Sequence, residues 1–176
     1  MAGSSPAVCD VEVSLPPSPF TVPPEDRYFE DYPEGSVYEF GAVRVEAAEI
    51  VDFARRFDPQ PMHVDAAAAA EGPFGGLIAS GWHTAGIMMR LFVEHFLPRA
   101  ASLGSPGIDE LRWPRPVRPG DVLRLRVHVV EARPSRKEPD RGILRTLIEV
   151  LNQRDETVMT LKPVNLLRRR PAAARS

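Results

Sequence analysis

The chain has almost no cysteine: Cys9 is the single one in 176 residues. A disulfide framework and a thiol-based metal cluster are both excluded, and a reducing cytoplasm is the expected address. It also lacks an excess of either charge. With 22 Lys and Arg against 24 Asp and Glu, a net charge of -2 and a pI near 6.1, it carries no strong field for nucleic acid. No stretch is apolar enough to span a membrane. Residues 1–26 are interrupted by Pro6, Pro16, Pro17, Pro19, Pro23 and Pro24, so they hold no secretory apolar region either. Internal repeats, a phosphate-binding P-loop and a dinucleotide fingerprint are all absent. What remains is the length of one medium domain with a real core.

Its organisation follows from periodicity. Residues 1–35 read as a proline-rich extended arm with Phe20 and Val22 as apolar anchors, 36–168 as one folded domain, and 169–176 as a loose basic tail. The segment Ser36–Val45 is rich in β-branched and aromatic residues and reads as strand. From Glu46 to Phe57, Ile50, Val51, Phe53, Ala54 and Phe57 recur at three- and four-residue steps, which predicts an amphipathic helix that stops before Pro59. The alanines of 65–71 predict a short helix. Between Gly81 and Leu97 apolar side chains occur on nearly every face, the pattern of a buried helix. Three alternating segments, Val122–Ala132, Gly142–Leu151 and Thr157–Leu167, predict antiparallel strands with one wet face. Ile108–Trp113 is a further strand, and Pro114 and Pro116 suit it to an edge.

The stretch from Phe57 to Met89 carries the chemistry. Asp58 and His63 flank Pro59, Gln60 and Pro61, and the two prolines predict a stiff turn rather than regular helix. An Asp and a His held together can share a water for acid–base work. Taken alone, that spacing points first to a helix end followed by a surface imidazole. The residues beyond His63 change the balance: Gly72-Pro73-Phe74-Gly75-Gly76, then Leu77-Ile78-Ala79, then Ser80-Gly81 opening a helix whose free N–H groups form a ready oxyanion site. His83, two residues inside that helix, either contacts substrate or packs. His95 and His128 read as structural, Met88-Met89 as core filling, and His63 with Asp65 is too sparse a set for a metal.

The residues FDPQPMHVD, GPFGGLIASGWHT and LRWPRPVRPGDVL together resemble the MaoC-like hydratases, the family that includes (R)-specific enoyl-CoA hydratases, over about Ser36 to Leu167. The resemblance implies an α+β hot-dog fold, an antiparallel sheet wrapped round a central helix. It also implies a hydro-lyase that needs no cofactor and acts on acyl-CoA or acyl-carrier thioesters. On the matching positions, Asp58 and His63 hold the water, the Gly81 amide meets the oxyanion, Gln60 and Ser80 orient the pair, and Trp82, His83 and Ile87 border the substrate. The family's usual glycine, asparagine and histidine are here Phe57, Gln60 and Ser80, and a serine common in the (R)-hydratases is Gly86. A hot-dog thioesterase and a non-catalytic acyl-binding subunit are the alternatives. The fold implied leaves a sheet edge that relatives pair across a two-fold axis, so a homodimer is expected.

Overall fold

The structure, a computed structural model, describes residues 20–171; Cys9 and the last five residues lie outside that range. Five antiparallel strands form one sheet: β1 (Val37–Arg44), β2 (Gly107–Arg112), β3 (Val122–Pro134), β4 (Arg141–Leu151) and β5 (Thr157–Arg168). Their spatial order is β1-β3-β4-β5-β2. Among the described residues the four α-helices are α1 (Ala47–Phe57), α2 (Pro61–Val64), α3 (Ala66–Glu71) and α4 (Gly81–His95), and a short 3-10 helix, Phe29–Asp31, precedes β1. This is the hot-dog fold.

Alternation along the strands explains which face is inside. Leu123, Leu125, Val127 and Val129 of β3 are buried, as are Leu144, Ile148 and Val150 of β4. Each fully buried aliphatic side chain contributes about 1.5–3 kcal/mol. The residues between them, Arg124, Arg126 and His128, point away and meet Glu39, Glu149 and Asp155 in ion pairs. The proline-bounded strand β2 is indeed at an edge of the sheet.

Helix α4 lies on the inner face, but it is buried on one side only. His83, Thr84, Ile87, Met88, Leu91 and Phe92 face the protein, whereas Trp82, Met89 and Val93 are 60, 46 and 46% exposed in the single chain. The expectation of burial all round is therefore corrected. The helix packs towards β1 and β3, which leaves the inner face of β5 and β2 incompletely covered.

The segment before β1 has no strand, yet it is packed. Phe20 stacks on Tyr38 with ring centroids 4.0 Å apart, and Tyr32 is buried. Arg27 donates to the carbonyls of His95 and Phe96, and Tyr32 donates to that of Phe96, so this segment satisfies the free carbonyls at the end of α4. Arg169 and Arg170, assigned to a loose tail, pair with Glu30 and Asp31. No helix among the described residues is long and apolar enough to cross a membrane.

Candidate active site

Asp58 is the C-terminal cap of α1, its N–H bonded to the Ala54 carbonyl. Pro59 prevents the helix from continuing, and the chain turns straight into α2 with Pro61 at the first helical position, where a missing N–H costs nothing. The stiff turn expected between Asp58 and His63 is thus partly replaced by one turn of helix, because only Pro59 falls where it disrupts one. Asp65, next in the motif, is spent on capping α3: its Oδ1 accepts from the N–H groups of Ala67 and Ala68.

His63 is 5% exposed. Its Nδ1 lies 2.8 Å from the Ile78 carbonyl oxygen, an acceptor, so Nδ1 carries a proton and Nε2 is the nitrogen that exchanges. Nε2 stands 3.5 Å from Asp58 Oδ2, too long for a strong direct bond and suited to a shared small group. The segment that supplies Ile78 is fixed from both sides, Ile78 N–H donating to Met62 O and Ala79 N–H to Val117 O. Before it, Gly75 and Gly76 take the positive φ expected of this loop.

Both oxygens of Asp58 are held. Gln60 Nε2 donates to Oδ1 and the Ser80 hydroxyl to Oδ2, each at 2.7 Å. These two bonds, Gln60 first, together with the His63 imidazole hold the carboxyl below its ordinary value against a smaller opposing effect of burial. Ser80 is fully buried and is also the N-cap of α4, accepting from Trp82 N–H at 3.2 Å. One hydroxyl therefore ties the carboxylate to the positive end of the helix.

Gly81 is the first residue of that helix, and its N–H has no intrahelical acceptor. The Trp113 indole lies against it. Trp113 Nε1 donates to the Gly81 carbonyl at 3.0 Å, and a Cβ at position 81 would fall 2.6 Å from the indole ring. Glycine is required here by the close approach of the ring. Asp58, Gln60, His63, Gly81, Trp82, Trp113 and Arg115 line one cavity of about 370 Å³. Trp82 meets Trp113 edge-on at 5.6 Å.

Two residues assigned to the substrate lie elsewhere. His83 is not on the cavity wall; its ring stacks on Phe53 at 5.0 Å, its Nδ1 is buried without a partner, and burial lowers its pKa against the opposing charge of Glu49. Ile87 is buried in the core, one face round the helix from Trp82. Trp113 and the Ile78 carbonyl were not singled out from sequence. The RWPRP segment is part of the motif that contains Trp113, but its contact with position 81 spans 32 residues.

A second cavity, of about 230 Å³, opens on the other side of Trp82. Met88, Met89 and Phe92 of α4 form one wall, and Ile108, Leu161 and Asn165 of the β2–β5 inner face form the other.

Residues 29–150 match the MaoC like domain family. The fold is similar to the crystal structure of the MaoC-like dehydratase from Rhodospirillum rubrum, with a TM-score of 0.77, 45% identity, and coverage of 82% of this chain and 99% of that one. The uncharacterized protein YdeM of Bacillus subtilis is 33% identical over 73% of this chain and 90% of its own length. The 3-hydroxybutyryl-CoA dehydratase of Methylorubrum extorquens is 32% identical over 62% of this chain and 68% of its own.

Proposed function

Since the chain belongs to the MaoC-like domain family, we propose that it is a hydro-lyase that reversibly adds water across the C2–C3 double bond of a 2-enoyl thioester, on coenzyme A or an acyl carrier. The observation that carries this reading is the convergence of the Asp58 carboxylate and His63 Nε2, 3.5 Å apart, beside the start of α4. A water between them loses a proton to Asp58 as its oxygen bonds to C3. The electron pair of the double bond moves towards the thioester oxygen, where the Gly81 N–H and the helix dipole stabilise the negative charge. The imidazolium of His63 delivers its Nε2 proton to C2, and the proton on Asp58 then crosses to His63 to restore the pair. Gln60 and Ser80 keep the carboxylate ionised and aimed. Trp82, which borders both cavities, directs the acyl chain from the first into the second.

The active form is a symmetric homodimer. Strand β2 ends the sheet with unpaired backbone groups, and its Ile108 is 54% exposed, as are the large apolar side chains Trp82, Met89 and Val93 of α4 to similar degrees. Pairing two β2 edges continues the sheet and covers that surface.

The test is an enoyl-CoA panel followed by absorbance of the conjugated thioester, with free thiol titrated in parallel. Loss of absorbance without thiol release is expected. Thiol release would replace hydration with thioester hydrolysis, and neither signal across the panel would reduce the protein to an acyl-binding role.

A further inference from the structure

The second cavity is apolar except for two side chains, and only one of those is unspent. Ser105 donates its hydroxyl to the Gly107 carbonyl and accepts from the Gly107 N–H. Asn165 is different. It is 6% exposed, it lines the cavity, and its Nδ2 is buried with no hydrogen-bond partner. An amide N–H₂ in an apolar wall without an acceptor carries a desolvation penalty that no hydrogen bond among the described residues offsets.

Thr146 repeats the signal one strand away. Asn165 pairs across β4–β5 with Leu144, and Thr146, two residues along β4 from Leu144, faces the same interior. It is 2% exposed and its hydroxyl is also without a partner. Thr146 lies behind the cavity wall rather than on it, so Asn165 is the unpartnered amide on that wall, a feature that a plain hydrocarbon tail does not explain, because leucine would line such a pocket more stably.

Resting on the hydratase reading, we propose that the substrate is a 2-enoyl thioester whose acyl chain carries a neutral oxygen, a hydroxyl or a ketone, remote from the reacting double bond, and that the Asn165 amide binds it. The oxygen is neutral because no Lys, Arg or His lines this cavity, and one amide does not compensate the burial of a carboxylate. It is remote because Asn165 and the Asp58–His63 pair line different cavities that share only Trp82. A site with a buried group awaiting a hydrogen bond discriminates strongly against the analogue that lacks it.

The experiment compares kcat/KM for 2-enoyl-CoA esters of matched length, with and without a hydroxyl or ketone on the distal half of the chain, in the native protein and in Asn165→Leu. The native protein is expected to prefer the oxygenated chain by about tenfold to a hundredfold. Asn165→Leu is expected to abolish that preference by raising KM for the oxygenated chain. Equal kcat/KM for the two chains in the native protein, or a preference unchanged in Asn165→Leu, overturns the inference alone, and a resident water is then the partner of the amide. The native comparison stands without the variant if Asn165→Leu fails to fold. Absence of turnover with every thioester overturns the hydratase reading and this inference with it.

Discussion

Replacing Ser80 by alanine removes one oxygen that performs two tasks. The hydroxyl is fully buried, donates at 2.7 Å to Asp58 Oδ2 and accepts from the Trp82 N–H. Loss of a serine N-cap costs about 1 kcal/mol, and a hydrogen bond to a charged group about 1.5–3 kcal/mol. Asp58 keeps Gln60 and is partly open to water, so a combined loss of about 2–3 kcal/mol is expected. For a protein of this size that lowers Tm by roughly 5–10 °C. Chemistry changes in a separate direction. Ser80 is one of the groups holding the Asp58 carboxyl below its ordinary value, so its removal raises that pKa, and the acid limb of the kcat/KM profile for enoyl thioester hydration moves to higher pH. Calorimetry and a pH–rate series on purified Ser80→Ala measure both. A variant whose Tm and acid limb both match the native protein would refute the argument that this hydroxyl couples the carboxylate to the helix.

Asp58→Asn and His63→Ala should each cost about 10²–10⁴-fold in hydration rate with native circular dichroism, and the double variant little more, because groups that act on one water function as a unit; steady-state kinetics on the three proteins checks this. Gly81→Ala drives a methyl into the Trp113 indole, an overpacking cost of about 1–3 kcal/mol; urea titration should show it, and Trp113→Ala in the same chain should relieve part of it. His83 has its pKa lowered by burial, so the unfolded chain binds its proton first as pH falls. Stability should be full above the ordinary imidazole value and decline below it, and His83→Leu should flatten that decline in denaturant midpoints taken across the range. Ile108→Glu puts a charge on the β2 edge and should shift sedimentation from dimer to monomer at micromolar concentration; an unchanged mass would remove β2 from the interface.

Much of the fold was legible because its signals are local. The alternation of Leu123, Leu125 and Val127 with Arg124 and Arg126 identifies β3, and Pro59 after a three-and-four pattern ends α1 at the right residue. The one-sided burial of α4 was not legible, since hydrophobicity alone does not separate a side chain covered by its own sheet from one left for another surface. The pairing of Asp58 with His63 was readable only with the residues that follow and the resemblance they carry, since the spacing alone points to a helix end and a surface imidazole. The Ser80 bond spans 22 residues and its orienting role was reached only through the resemblance, while the fixing of the His63 ring by the Ile78 carbonyl is a backbone contact that leaves no signature in residue type. Pro163 illustrates the same limit. It lies inside the interior strand β5 opposite Ile108, where β2 shifts register, and that accommodation depends on the partner strand rather than on anything near Pro163 in sequence.

The segment that precedes β1 has a consequence for the order in which the molecule assembles. Arg27 and Tyr32 reach carbonyls 68 and 64 residues ahead of them, and Asp31 meets Arg170 across 139 residues. On the ribosome these side chains emerge before their partners, which do not exist until α4 and then β5 have been made. This segment therefore docks only after elements made later than itself, and until it does the final turn of α4 has only water to accept from. The Asp31–Arg170 closure encloses more of the chain than the β1–β3 pairing does, and its chain-entropy cost is correspondingly larger.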